Sequence, residues 1–435
     1  MNTTSGGKFT LYSLDSIITQ FITFFLTMLS SIMTARLLGP SGKGLLTLLL
    51  MIPWLTTVFG RMGIGHAINY YSSRIDNSAL FVNVLLLSVV ISSILVTTTI
   101  IILYFIYPTI PNGASTFAIV GTIILIPLYL YNDYLTNILL GSYRISERNR
   151  LLISQSFITL LLIGMLALIQ KISVINVIFV TFISLLSFII GTIFILIPTT
   201  HFSTSSFDLN IIKHLLKFGY RAHWGNIFID LSYRGDIFII GSLLPSYYVG
   251  CYAVAVMISE LLWKVPDAVS NTLLGRVSKM TPNEARRFTP RVCRLILFYM
   301  LIAIGIMFVA GKWVVLTFFG AAYSDSILVL ILLLPGTFCF SIWKILANDL
   351  IAQGHPSQYS YSSFMSLIVM VTLDLVLIPL WDIKGAAIAT TVAYMTATVN
   401  IVYIYLKTTN INILDIIKPK LEDFIQLKAA FVTRK

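Results

Sequence analysis

Residues Ala35–Arg74 read ARLLGPSGKGLLTLLLMIPWLTTVFGRMGIGHAINYYSSR. A helix end at Ala35–Leu38 runs into Gly39-Pro40-Ser41-Gly42, residue types that build tight turns. A long apolar helix follows from Gly44, with Pro53 inside it. It contains one arginine, Arg61, far from either polar flank. An apolar run of this length reads as a membrane span. A charge within such a span costs several kcal/mol and marks a pathway or a binding site.

Working outward, the whole chain has this character. Of its 435 residues 57% are hydrophobic and 11% charged, where soluble domains carry about 25% charged residues. The chain is therefore expected to be an all-α polytopic membrane protein. The opening MNTTSGGKFT is polar and the apolar run after it is long enough to span and stay, so no cleavable signal peptide is expected. Twelve spans are expected, at 12–37, 44–70, 79–105, 116–141, 151–169, 173–198, 219–243, 249–275, 292–318, 327–351, 359–380 and 385–406. The polar stretch 199–218 divides them six and six. The expected organisation is an N-terminal bundle over 1–200, a cytoplasmic linker with an interfacial helix over 201–218, a C-terminal bundle over 219–407, and a tail over 408–435.

Orientation follows from lysine and arginine, which collect on the cytoplasmic side. With the N-terminus inside, twenty of the 29 basic residues fall in cytoplasmic segments, five in outer loops and four in spans. Both termini are thus expected to be cytoplasmic. The net charge of +12 is mostly this bias, so no nucleic-acid partner is expected. Two segments, Asn210–Phe218 and Leu421–Phe431, alternate apolar and basic residues at helical spacing and read as amphipathic helices on the membrane surface. A weak internal match pairs Leu37, Leu38, Gly44, Met51 and Ile52 with Leu243, Leu244, Gly250, Met257 and Ile258. Such a repeat of equal topology has its axis along the membrane normal.

A first apolar helix joined to ARLLGPSGKG and a second long helix, then six plus six spans, resembles the Wzx-type polysaccharide flippases of the MOP superfamily. That superfamily also holds the MATE multidrug exporters and the lipid II flippases. The resemblance implies two six-helix bundles around a central cavity. It implies a function too: flipping a polyprenyl-diphosphate-linked oligosaccharide from the cytoplasmic to the outer leaflet of the cell membrane. Its partners would be the lipid-linked glycan, membrane lipids and a coupling proton or sodium ion. A cation-coupled multidrug exporter of the same superfamily is the alternative, and it would need a cavity dominated by carboxylates.

No enzyme constellation is present. His66, His201, His214, His223 and His355 lack metal-ligand spacing, and there is no nucleophile elbow or P-loop. No cofactor or metal is expected. Cys251, Cys293 and Cys339 sit in or beside apolar helices without CxxC spacing and read as small core residues. A membrane-bound glycan polymerase or ligase would need a large outer loop with catalytic Arg or His, whereas Tyr107–Ser115 and Leu244–Tyr248 are short.

The ionisable residues inside spans are therefore the candidates. Glu260, Lys264 and Asp267 are spaced i, i+4, i+7 and are expected to form one stripe beside Trp263 and Pro266. Asp230 and Arg234 are spaced to pair, with Asp236 close by. Lys344 and Asp349 lie on the tenth span. Asp133 and Asp374 lack a local partner, and Asp133 is the expected coupling carboxylate. Arg61 has only Val58, Thr57, Ile64 and Gly65 at i±3 and i±4, so it needs a partner from another helix, water or an anionic ligand. A diphosphate suits its guanidinium fork. Arg61 lies 17 residues beyond Gly44 and Lys264 lies 14 beyond Gly250. At about 1.5 Å per residue their depths would differ by roughly 4.5 Å, and the repeat would make them one headgroup site. The expected substrate-binding set is Arg61, Lys264, Arg234, Lys344, Glu260 and Asp267. Trp54 and Trp263 are candidates for stacking on sugar rings.

Overall fold

A computed structural model describes residues 3–72, 75, 77–106, 115–196, 207–278, 280–418 and 420. The expected tail helix Leu421–Phe431, Arg74 and most of the loop 107–115 lie outside the described residues. The chain is nearly all helical. The helices are α1 (Thr3–Gly60), α2 (Ile64–Tyr71), α3 (Asn77–Ile106), α4 (Thr116–Gly141), α5 (Ile145–Leu168), α6 (Val174–Leu196), α7 (Leu209–Leu243), α8 (Ser246–Leu261), α9 (Lys264–Val277), α10 (Pro282–Val314), α11 (Asp325–Ala352), α12 (Pro356–Thr409) and α13 (Ile413–Ile417). Among the described residues eight helices are long and apolar enough to cross a membrane, or nine if the bent pair α8 and α9 forms one span.

Local chemistry sets the breaks. α1 takes in the first expected span and the second as far as Gly60, joined where Gly39 adopts φ 68° and ψ 176°. Glycine tolerates this positive φ without a Cβ clash, and Pro40 then restarts the helix with its fixed φ. α12 is interrupted in the same way at Trp381 and Asp382, where Asp382 has φ 51°. The Ser115 side chain accepts from the Ala118 N–H and caps α4. A capping box of Thr281 and Glu284, with a proline in the first turn, opens α10.

The chain folds as two compact units. The first runs to Ile227 and also takes in Leu244–Gly250; the second holds Phe228–Leu243 and resumes at Cys251. In the first unit, Ile64 and Ile68 of α2, Phe81 and Val84 of α3, Leu130 and Tyr134 of α4, Phe188 of α6 and Leu215 of α7 share one buried core. The amphipathic stretch Asn210–Phe218 is helical and forms the start of α7. Its Ile211 and Leu215 enter this core, while Lys213 and Lys217 stay exposed.

The two glycines matched in the sequence repeat meet in the first unit. A Cβ on Gly44 would lie 1.7 Å from the Ser246 carbonyl oxygen, and one on Gly250 would lie 2.0 Å from the Pro40 carbonyl oxygen. Each glycine thus opposes the residue four before the other. The contact is reciprocal under the same residue offset as the repeat, and only glycine permits so close a backbone approach. In the second unit, α11 is the most enclosed helix and packs mainly on α12. Cys251 and Cys293 are buried there as free thiols.

Candidate functional site

The second expected span is not one helix. It breaks at Arg61–Gly63, where Met62 (φ 44°) and Gly63 (φ 66°) are both left-handed. A positive φ is uncommon for methionine, and packing holds it in place. A Cβ on Gly63 would lie 2.1 Å from the Gly219 carbonyl oxygen of α7. Several backbone groups at the break are paired. Arg61 N–H donates to the Thr57 carbonyl at 2.8 Å, Ile64 N–H to the Arg61 carbonyl at 2.9 Å, and the Tyr134 hydroxyl to the Gly60 carbonyl at 3.1 Å. His223 is buried and hydrogen-bonds the Phe59 backbone.

Arg61 has a partner that no local spacing reveals. Its Nε lies 3.4 Å from Asp133 Oδ1 of α4, with the two side chains 36% and 27% exposed. Around this pair stand His66, whose Nε2 meets the Asn226 amide at 3.1 Å, and Asn69, which donates to Asn137 Oδ1 at 3.0 Å. His66 also lies within electrostatic reach of Asp133. Both sequence expectations change here. Arg61 does not wait for a ligand alone, and Asp133 is not without a partner.

The eighth expected span breaks as well. α8 ends at Leu261, α9 starts at Lys264, and the two are bent by 52°. The expected stripe of Glu260, Lys264 and Asp267 is therefore split. Glu260 pairs with Arg234 at 2.8 Å, and Asp267 pairs with Lys344 at 2.7 Å. Arg234 thus bridges to α8 where a pair with Asp230 on its own helix was expected. Lys264 is half-buried in the first turn of α9. Both helices break at the charge, so counting residues from Gly44 and Gly250 no longer measures depth.

Lys344 is 9% exposed and deeply engaged. It donates to the Tyr233 hydroxyl at 3.1 Å and lies 4.6 Å over the Trp263 ring and 5.1 Å over the Tyr233 ring. Such a cage of rings and one carboxylate already compensates the charge. Trp263 is buried, donates to the Thr337 carbonyl at 3.0 Å and packs on Phe340 and Tyr394. It is enclosed here and does not present a face to a sugar.

Deeper in the second unit lies a group that spacing could not assemble. Asp236 accepts hydrogen bonds from the Tyr252 hydroxyl and the Thr390 hydroxyl. Asp374 of α12 is fully buried, and neither of its carboxyl oxygens has a hydrogen-bond partner among the described residues. It lies within electrostatic reach of Asp236. Asp349 has separate partners, accepting from Thr289 at 2.7 Å and from Gln353. Among the described residues no three His, Cys, Asp or Glu side chains gather as they would around a metal ion.

The model of a family described as polysaccharide biosynthesis protein matches residues 33–328. The chain belongs to this family. The matched stretch holds both helix breaks, Arg61, Asp133, Arg234, Glu260, Lys264 and Asp267; Lys344 and Asp374 lie beyond it. The chain is 27% identical over 168 residues to a probable low-salt glycan biosynthesis flippase, Agl15, of Haloferax volcanii, covering 38% of this chain and 36% of the relative. It is 24% identical over 192 residues to an uncharacterized membrane protein, MJ1375, of Methanocaldococcus jannaschii, covering 44% and 45%. The matches thus span less than half the length of these relatives. In structure it is similar to the lipid II flippase MurJ in an inward closed conformation, with TM-score 0.71, 15% identity and coverage of 98% and 93%. It is also similar to an inward-facing multidrug resistance MATE family transporter of the MOP superfamily, with TM-score 0.72, 14% identity and coverage of 89% and 94%. At these identities the likeness is one of fold, and the fold is that of MOP superfamily transporters.

Proposed function

We propose that this protein flips a polyprenyl-diphosphate-linked oligosaccharide from the cytoplasmic to the outer leaflet of the cell membrane, as a step in building a surface polysaccharide. The observation that carries this reading is Arg61, a guanidinium set at a break in an apolar span and half-open beside Asp133. A guanidinium fork matches a diphosphate, with one N–H for each phosphoryl oxygen. The family, and the flippase named among its relatives, support the same substrate class. The second unit has basic groups of its own, among them Lys264, Arg234 paired with Glu260, and Lys344 held by Asp267. The MATE likeness is one of fold, and the family description favours a glycan over a drug. Deleting the gene should leave lipid-linked oligosaccharide on the cytoplasmic leaflet, and re-expression should clear it. Clearance without this protein would refute the reading.

Twelve spans with both ends cytoplasmic complete the proposal. Cysteine labelling from outside intact cells should reach Asn112→Cys and miss Arg148→Cys and Arg287→Cys. Labelling of the last two in sealed cells would overturn the orientation.

A coupling cation fits the second unit. Asp133 and Asp374 both lack a local partner in sequence; Asp133 meets Arg61 from another part of the chain, whereas neither carboxyl oxygen of Asp374 has a hydrogen-bond partner among the described residues. Two carboxylates in one apolar interior call for a proton or a cation between them, since an uncompensated buried charge costs many kcal/mol. The hydroxyls of Tyr252 and Thr390 add two further oxygens beside Asp236. Asp374→Asn should fold normally and lose gradient-driven transport. Replacing sodium by choline at fixed pH then separates sodium from proton. Gradient-driven transport at the wild-type rate in Asp374→Asn would exclude this pair as the coupling site.

A further inference from the structure

Arg61 has two claimants in the first unit, the Asp133 carboxylate it meets at 3.4 Å and the anionic ligand. We propose that they exclude one another, so that binding a diphosphate at Arg61 displaces Asp133, which then takes up one proton. The inference rests on the reading of Arg61 as the diphosphate site.

The ion pair approaches through Nε at 3.4 Å, with both partners partly exposed. Pairs of this kind are weak. A diphosphate brings two charges and engages the fork by two parallel hydrogen bonds, so it wins the competition. Asp133 is then left in an apolar span without its counter-charge. Among the described residues, the charged groups within electrostatic reach of Asp133 are Arg61 and His66. α3 and α6, both packed on α4, carry no charged residue and no histidine. α5 carries its charges, Glu147, Arg148 and Arg150, in its first six residues. The charged groups of α1, Lys8, Asp15, Arg36 and Lys43, lie far along the chain from the break, and Lys43 donates to Ser31 and Thr34. From α2 comes His66, engaged with Asn226; α7 carries His223, engaged with the Phe59 backbone, and nearer its start Lys213, His214, Lys217 and Arg221, the first three exposed. A carboxylate deprived of its guanidinium in such a place is neutralised by a proton. The balance is simple: the ligand's negative charge replaces the carboxylate on Arg61, and the carboxylate oxygen gains a proton from solvent. The break supplies the freedom for this exchange. Arg61 starts a three-residue turn and is not locked inside a helix.

The test is titration calorimetry on the full chain in nanodiscs, with farnesyl diphosphate as the probe. Buffers of different ionisation enthalpy at one pH report the protons exchanged. Wild type should take up close to one proton per ligand bound. The near-isosteric Asp133→Asn should bind about five-fold more tightly, because the weak competing pair is gone, and should take up none. His66→Gln should keep the uptake. Arg61-dependent binding without uptake, or uptake that persists in Asp133→Asn, would overturn the inference and leave the diphosphate site standing. Farnesyl diphosphate binding that is equal in wild type and Arg61→Ala would instead overturn the site itself. Thermal unfolding of each variant confirms that the proteins compared are folded.

Discussion

Arg61→Ala is expected to abolish export of the glycan while leaving protein abundance close to wild type. The two effects separate by magnitude. The Arg61–Asp133 pair is part-exposed, at 3.4 Å, and such pairs contribute about 0–1 kcal/mol to stability. Two charge-assisted hydrogen bonds to a diphosphate contribute about 1.5–3 kcal/mol each. Losing both lowers transport by about 10²-fold or more, at about 1.4 kcal/mol per factor of ten. Arg61→Lys keeps a point charge but not the fork, so it should retain part of the activity. Export complementation beside quantitative blotting measures both quantities. Parallel loss of protein and activity would make Arg61 a brace for the helix break and nothing more.

Gly250→Val is expected to lose the folded protein altogether. Its new Cβ would stand 2.0 Å from the Pro40 carbonyl oxygen, a backbone atom that no rotamer change can move. Inserting methylenes among side chains already costs about 1–3 kcal/mol, and a backbone clash exceeds that. Gly44→Val meets the Ser246 carbonyl oxygen at 1.7 Å and should fail in the same way. Once either glycine is replaced the crossing has parted, so the double variant should be little worse than the single ones. Gly275→Ala and Gly305→Ala are the controls. Their Cβ atoms meet nothing within 4 Å, and helix propensity favours alanine by about 1 kcal/mol. Size-exclusion profiles and blotting of detergent-extracted protein read the outcome. Normal yield of Gly250→Val would mean that the crossing is not a close one.

Much of this fold was legible in the sequence. Composition alone required membrane helices, and the glycines that matched in a faint repeat, Gly44 and Gly250, oppose each other in space. The intramembrane charges were equally visible. Their partners were not. A one-dimensional reading pairs residues three or four apart, which joined Asp230 to Arg234 and strung Glu260, Lys264 and Asp267 into a stripe. The structure pairs Arg61 with Asp133, Arg234 with Glu260 and Lys344 with Asp267, each across separate helices. The breaks at Met62–Gly63 and Leu262–Trp263 were also hidden. Gly60, Gly63 and Gly65 around Arg61, and Pro266 after Lys264, were the available signals. A glycine or proline within an apolar run marks a tolerated kink as readily as a true break. Asp374 was seen, but its nearness to Asp236 depends on where α7 and α12 pack within the second unit.

The central claim is that this chain moves a diphosphate-linked glycan through Arg61, and reconstitution tests it most directly. Purified protein is placed in sealed vesicles with a polyprenyl-diphosphate-linked oligosaccharide, and the glycan exposed on the far leaflet is measured with time by an impermeant sugar-modifying reagent. Wild-type vesicles should translocate the glycan well above protein-free vesicles, and Arg61→Ala vesicles should match the protein-free ones. Translocation by Arg61→Ala at the wild-type rate, or none by wild type, would contradict the account.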